Sequence, residues 1–205
     1  MSFIIFTKIF FACLIGAMSP GPSMAIVVSN AIFKNRYHGI LTSIGHGTGI
    51  SIYAIFAVIG IGLIIKTNII IFNCIKIISV IFLFYMGIKS ILNKTKINFE
   101  QGKLTGGATS FFQGLSISIL NPKIFIWFVA IYSQFMSEDN NTIFNVCLII
   151  TAGVVDTMWY ISLTILATTS KSLNFIKSKS DLLSKIIGYL LLILGVVITV
   201  DIFIQ

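Results

Sequence analysis

Two short motifs carry most of the chemistry this chain can offer. Ser19-Pro20-Gly21-Pro22-Ser23 and Leu120-Asn121-Pro122-Lys123 each place a helix-capping side chain directly before a proline. Proline has no N–H and favours the first position of a helix, while Ser and Asn favour the position just before it. Both motifs predict a helix that stops and restarts. A restarting helix presents unpaired N–H groups and the positive end of its dipole, which a carboxylate satisfies. Two titratable residues stand apart from these motifs. Asp156 lies deep in the apolar run GVVDTMWY, and His46 lies in the glycine-rich stretch Gly45-His46-Gly47-Thr48-Gly49.

A carboxylate at the depth of Asp156 requires a cation, a proton or a water-filled cavity. It either binds a substrate ammonium or carries a coupling proton, or else pairs structurally with Lys123 at similar depth. Histidine is the side-chain type best matched to proton exchange at physiological pH, so His46 is a candidate for proton handling. Packing against a neighbouring carbonyl is the alternative. Gly45 and Gly49 either let helices approach closely or line a cavity wall. Lys8 and Lys76 lie within snorkelling reach of an interface, and Asp201 is expected at the end of the last span. Tyr85, Trp127, Trp159 and Tyr160 are candidate pocket aromatics.

Other chemistry is poorly supplied. There is no G-x-S-x-G, Walker A, H-E-x-x-H or dinucleotide loop, so no enzyme activity and no catalytic residue is predicted. Cys13, Cys74 and Cys147 have neither disulfide nor zinc spacing and read as small hydrophobes. No metal or cofactor is expected. The net charge of +8 comes from short basic clusters between apolar runs, a pattern that argues against nucleic-acid binding.

The elements that position these residues follow from composition. The 205 residues are 57% hydrophobic and 10% charged, with mean hydropathy +1.02, which excludes a soluble domain and a disordered chain. Six apolar segments are predicted, roughly 3–33, 40–65, 69–92, 108–135, 142–168 and 183–204. An apolar stretch of about 20 residues crosses a hydrocarbon core. The first segment is cut by its Pro-Gly-Pro motif into halves too short to cross separately, so one interrupted crossing is expected. A cleaved signal peptide is rejected, because the apolar run continues and five spans follow.

Loops one, three and five hold Lys34, Arg36, Lys89, Lys94, Lys96, Lys103, Lys171, Lys177, Lys179 and Lys185, against Lys66 alone on the even loops. The bias places the odd loops in the cytoplasm and both termini outside. The expected organisation is a single polytopic domain. Repeat one covers about 1–93, a solvated linker about 94–107, and repeat two about 108–205. Three spans per repeat is an odd number, so the repeats enter the membrane from opposite sides. Their breaks fall at corresponding positions, in spans one and four. Paired interruptions in inverted halves point to a secondary-transporter binding site. Kinks in two packed helices are the plainer reading of either proline motif alone.

The stretch MSPGPSMAIVVSNAIFKNRYHGILTSIGHGTG resembles the N-terminal signature of the LysE/RhtB family of bacterial amino-acid exporters. Lys76 with Phe84-Tyr85-Met86-Gly87-Ile88-Lys89, then Leu120-Asn121-Pro122-Lys123, then Asp156 continue the resemblance in order over nearly the whole chain. It implies a six-span exporter in the bacterial inner membrane, driven by the proton motive force. The PGPS form is closer to the RhtB-like branch, associated with threonine, homoserine or leucine. The chain departs from the family's usual pattern at His46, Ser51 and Ser79, which bears on the substrate.

Together these expectations describe an all-α membrane protein of two inverted three-helix repeats that exports a small, neutral amino acid by alternating access. Ser19, Pro20, Gly21, Pro22, Gly45, Gly49, Asn121, Pro122 and Lys123 are the candidates for substrate binding or gating. Asp156 and His46 are the candidates for ion or proton coupling. The partners are the amino-acid substrate and the lipid bilayer, and a homo-oligomer is compatible. The alternatives are an exporter of another solute or cation, or a non-transporting scaffold.

Overall fold

The computed structural model describes the backbone of residues 3–92, 106–137, 140–169 and 172–204, and the side chains of 5–92, 106–121, 123–137, 140–169 and 181–200. The linker 94–107 lies almost wholly outside the described residues, as do Glu138, Asp139 and the side chain of Asp201. The described chain is helical throughout: α1 (Phe3–Met18), α2 (Pro22–Ser29), α3 (Arg36–Thr67), α4 (Ile69–Leu92), α5 (Gly107–Ile119), α6 (Pro122–Phe135), α7 (Thr142–Ala167) and α8 (Ser172–Ile204). A π-helical turn, Asn30–Lys34, extends α2.

Four helices are long and apolar enough to cross a membrane, namely α3, α4, α7 and the Asp181–Val200 part of α8. The other two crossings are bent pairs. α1 and α2 meet at 69°, α5 and α6 at 59°. The chain is a multi-pass helical membrane protein. Its span boundaries follow the apolar segments except at α8, which starts at Ser172 rather than 183. No Pro or Gly occurs between Ser172 and Ile187, so nothing stops the helix where its sequence turns polar.

The core is built around α3, which packs most extensively on α5 and α7. Glycine makes these approaches close. A Cβ on Gly45 would lie 2.8 Å from the Phe111 carbonyl carbon, and one on Gly114 would lie 2.9 Å from the His46 nitrogen. Neither distance is one a real side chain tolerates. Gly47 and Gly153 do the same between α3 and α7, and Gly87 and Gly188 between α4 and α8. Contacts between the halves come in matched pairs: α3 on α5 and α7 on α1, α3 on α6 and α7 on α2. Large apolar side chains such as Phe56, Ile59, Ile70, Ile78 and Met158 face outward, as lipid-facing surface requires. Cys74 joins them on the outside, rather than in the core.

Candidate functional site

The two helix breaks come together. Ser19, Gly21, Pro22 and Ser23, with Asn121 and Lys123, line one cavity of about 60 Å³, whose wall is completed by His46, Asp156, Tyr160, Trp127 and Tyr132 among others, while Pro20 is not on that wall. The breaks are bonded directly to each other. Lys123 Nζ donates to Ser19 Oγ at 2.5 Å, and Asn121 Nδ2 donates to Ser23 Oγ at 3.5 Å.

The two restarts differ in how their ends are satisfied. At α6 the expected cap forms, with Asn121 Oδ1 accepting from the Lys123 N–H at 3.1 Å and the Asn121 carbonyl accepting from Ile124. At α2 it does not form as expected. The helix begins at Pro22 with Gly21 in the cap position, and no side chain caps it. Ser19 is too far back in the chain to serve, and its hydroxyl takes the Lys123 ammonium instead. The Ala25 N–H reaches the Gly21 carbonyl, which leaves the Ser23 and Met24 N–H groups as the open end of α2.

Asp156 is buried on α7, and its partner is His46 on α3 rather than Lys123. His46 Nδ1 and Asp156 Oδ2 are 2.7 Å apart, with side chains 2% and 6% exposed. The pairing of Asp156 with Lys123, offered as the structural alternative, is not formed among the described residues. Both line the cavity, and each has been taken by a nearer group. The His46 ring meets the Tyr160 ring edge-on at 4.7 Å, and Tyr160 and Ser23 line the same cavity. His46 Nε2 is buried and has no hydrogen-bond partner among the described residues. Ser23 at the α2 restart, Tyr160 and the His46–Asp156 pair therefore share one cavity wall.

Gly45 and Gly49 lie against α5, facing Phe111 and Ser118, and not on the cavity wall. They set the spacing of α3 and α5. Among the pocket aromatics, Trp127 and Tyr160 line the cavity, while Trp159 lines an apolar groove between α1 and α7. Tyr85 is exposed beside Lys89. Cys13 and Gly16 are cavity residues that the sequence did not single out. Gly16 gives room to Trp127: a Cβ there would lie 2.5 Å from the indole nitrogen. Nothing in an apolar stretch distinguishes this glycine from a packing one. Lys76 sits over the Phe72 ring at 5.4 Å.

The model of the LysE type translocator family matches residues 14–201. The chain belongs to that family. The match takes in both breaks, His46 and Asp156. Among curated relatives, the chain is 27% identical over 190 residues to the membrane protein YrhP of Bacillus subtilis, covering 86% of this chain and 90% of YrhP. It is 27% identical over 134 residues to the threonine efflux protein of Escherichia coli K12, covering 63% of this chain and 65% of that protein. A leucine efflux protein of Salmonella choleraesuis is 27% identical over 121 residues, covering 57% of this chain and 56% of that protein. No solved structure matches. Within this LysE family chain the cavity is the place where the two broken helices, the half-buried Lys123 and the buried His–Asp pair converge.

Proposed function

We propose that the protein exports small, neutral amino acids across the bacterial inner membrane, driven by protons and working by alternating access. The observation that carries the reading is the convergence of Lys123, the open α2 restart and the His46–Asp156 pair on one cavity. Family membership and the similarity to threonine and leucine efflux proteins support it.

In this reading the substrate carboxylate takes the Ser23 and Met24 N–H groups and the Lys123 ammonium, displacing Ser19 from Lys123. The α6 restart is satisfied by its own Asn121, so the carboxylate sits at α2 rather than between two open helix ends. The substrate ammonium turns towards Asp156. A proton arriving on the His46–Asp156 pair removes the charge that holds the ammonium and releases it. The cavity of about 60 Å³ holds roughly four waters at about 15 Å³ each. A substrate therefore enters only as the halves part. Inverted halves provide this motion, with the odd loops on the cytoplasmic side and both termini outside. Such a transporter carries out no bond chemistry and needs no cofactor.

The test is export from cells overproducing the chain, fed dipeptides to raise internal amino acids, with the medium assayed for all amino acids and homoserine. Accumulation of threonine, homoserine or leucine that a Pro22→Ala, Pro122→Ala double variant does not produce supports the reading. Equal media for both, with both proteins present in the membrane, refutes it.

A further inference from the structure

The two ends of the bundle are not alike. At the end carrying loops one and three, α2 is tied to α5 by a polar cluster. Asn30 Nδ2 donates to Gln113 Oε1 at 2.9 Å and to Thr42 Oγ1 at 2.8 Å, and Lys34 Nζ donates to the same Gln113 oxygen at 3.3 Å. Alongside, His38 Nδ1 and Ser110 Oγ are 2.9 Å apart. Asn30 is only 4% exposed, so its amide is a buried group whose bonds matter. The helical segment that holds Asn30 and Lys34 is the π-helical turn, closed by an Asn35 N–H to Asn30 carbonyl bond of 3.2 Å. Such turns are mostly single and local, and they frequently fall at functional sites.

At the other end α6 and α1 also touch, with a cavity beside them. Lys34 and Gln134 each stand twelve residues beyond their restart prolines, Pro22 and Pro122. Gln134 donates to the Lys76 carbonyl at 3.3 Å and borders a cavity of about 510 Å³ that Lys8 of α1 also lines, together with Asn73, Ser137 and Asn140. One end carries a polar latch and the other a cavity.

We infer that Asn30, Lys34, Thr42 and Gln113 form the gate that closes the central cavity from the odd-loop side, and that this structure is the state with that gate shut. The π-helical turn is where α2 yields when the gate opens. The Gln134–Lys8 cavity is the opposite pathway. In the alternate state α6 and α1 close it while α2 and α5 separate. Gln113 is the central acceptor, since both Asn30 and Lys34 donate to its single oxygen. The inference rests on the alternating-access reading but not on which solute moves.

Cys13 lines the central cavity and reports which side reaches it. In a chain with Cys74→Ser and Cys147→Ser, a membrane-impermeant maleimide is applied to right-side-out and inverted vesicles. Tyr37→Cys, exposed in loop one, marks the preparation that presents the odd-loop face. With the gate intact, Cys13 is expected to react faster from the even-loop side. Gln113→Ala removes the shared acceptor and is expected to raise the odd-side rate about tenfold, the effect of losing roughly 1.4 kcal/mol of latch. Gln113→Glu keeps both acceptor contacts and adds a charge facing Lys34, and is expected to lower the odd-side rate below that of the parent. An odd-side rate that neither variant moves overturns the gate. So does a rise for Gln113→Glu equal to that for Gln113→Ala, which marks simple loosening of the helix pair. Should export fail while these rates respond as stated, the amino-acid reading falls and the gate stands.

Discussion

Replacing Asp156 with Asn separates the two things the buried pair can do. The asparagine carbonyl still accepts from His46 Nδ1 in place of the Oδ2 contact at 2.7 Å, so the fold loses about 1 kcal/mol or less. The proton-carrying charge is gone. One His–Asp pair coupled to one proton converts a difference of one pH unit into about 1.4 kcal/mol, a tenfold ratio of substrate across the membrane. The assay uses the purified protein in proteoliposomes with a one-unit pH difference imposed and radiolabelled threonine on both sides. The parent is expected to build a gradient approaching tenfold, and Asp156→Asn to reach none while still exchanging labelled for unlabelled threonine. Asp156→Ala is the structural control. It leaves both nitrogens of His46 without a partner and costs about 3–5 kcal/mol. An Asn variant that still builds a tenfold gradient refutes the coupling role and reduces the pair to a packing device.

Lys123→Met removes the one ammonium in the cavity, and is expected to raise the KM for export about 10- to 100-fold, the value of a charge-assisted hydrogen bond, with the thermal midpoint little changed. Gly45→Ala is expected to destabilise the protein in detergent by about 1–3 kcal/mol, since its Cβ meets the α5 backbone. Gly60→Ala, with nothing within 4 Å of its Cβ, is expected to be neutral or stabilising. Equal midpoints for the two would refute the close-packing role of Gly45. In intact cells an impermeant thiol reagent is expected to label Ser137→Cys and not Tyr37→Cys, and the reverse would invert the topology.

The spans were legible because each is an unbroken apolar run, and the two breaks because proline leaves no alternative to an interruption. Their meeting in space was suggested by the inverted halves, and Lys123–Ser19 and Asn121–Ser23 realise it. What the sequence could not decide was pairing. Lys123 was the only side-chain partner the sequence suggested for Asp156, and the pairing with His46 depends on how close α3 lies to α7. That distance is set by Gly47 and Gly153, which carry no sign of their partners. The cap at Ser19 was misplaced for a related reason. With prolines at both 20 and 22, two starts were available, and the bond from Lys123, over a hundred residues away, occupies the hydroxyl that would have capped the earlier one. The polar cluster at Asn30 and Gln113 left a visible trace, an amide inside each of two apolar segments, but no local rule joins them.

The Lys123–Ser19 hydrogen bond also has a consequence for how the chain is made. Helix α6 has only 14 residues, about 21 Å at 1.5 Å per residue, against a hydrocarbon core of about 30 Å. It brings a charged lysine with it near its starting end. Alone in the bilayer, that half-helix is too short to span and too polar to stay. Its ammonium is accepted by a side chain of the first span, which leaves the ribosome long before it. Span one thus serves as a waiting partner for span four during synthesis. A chain expressed from residue 106 onward should fail to retain its first crossing, and co-expressing residues 1–92 should restore it.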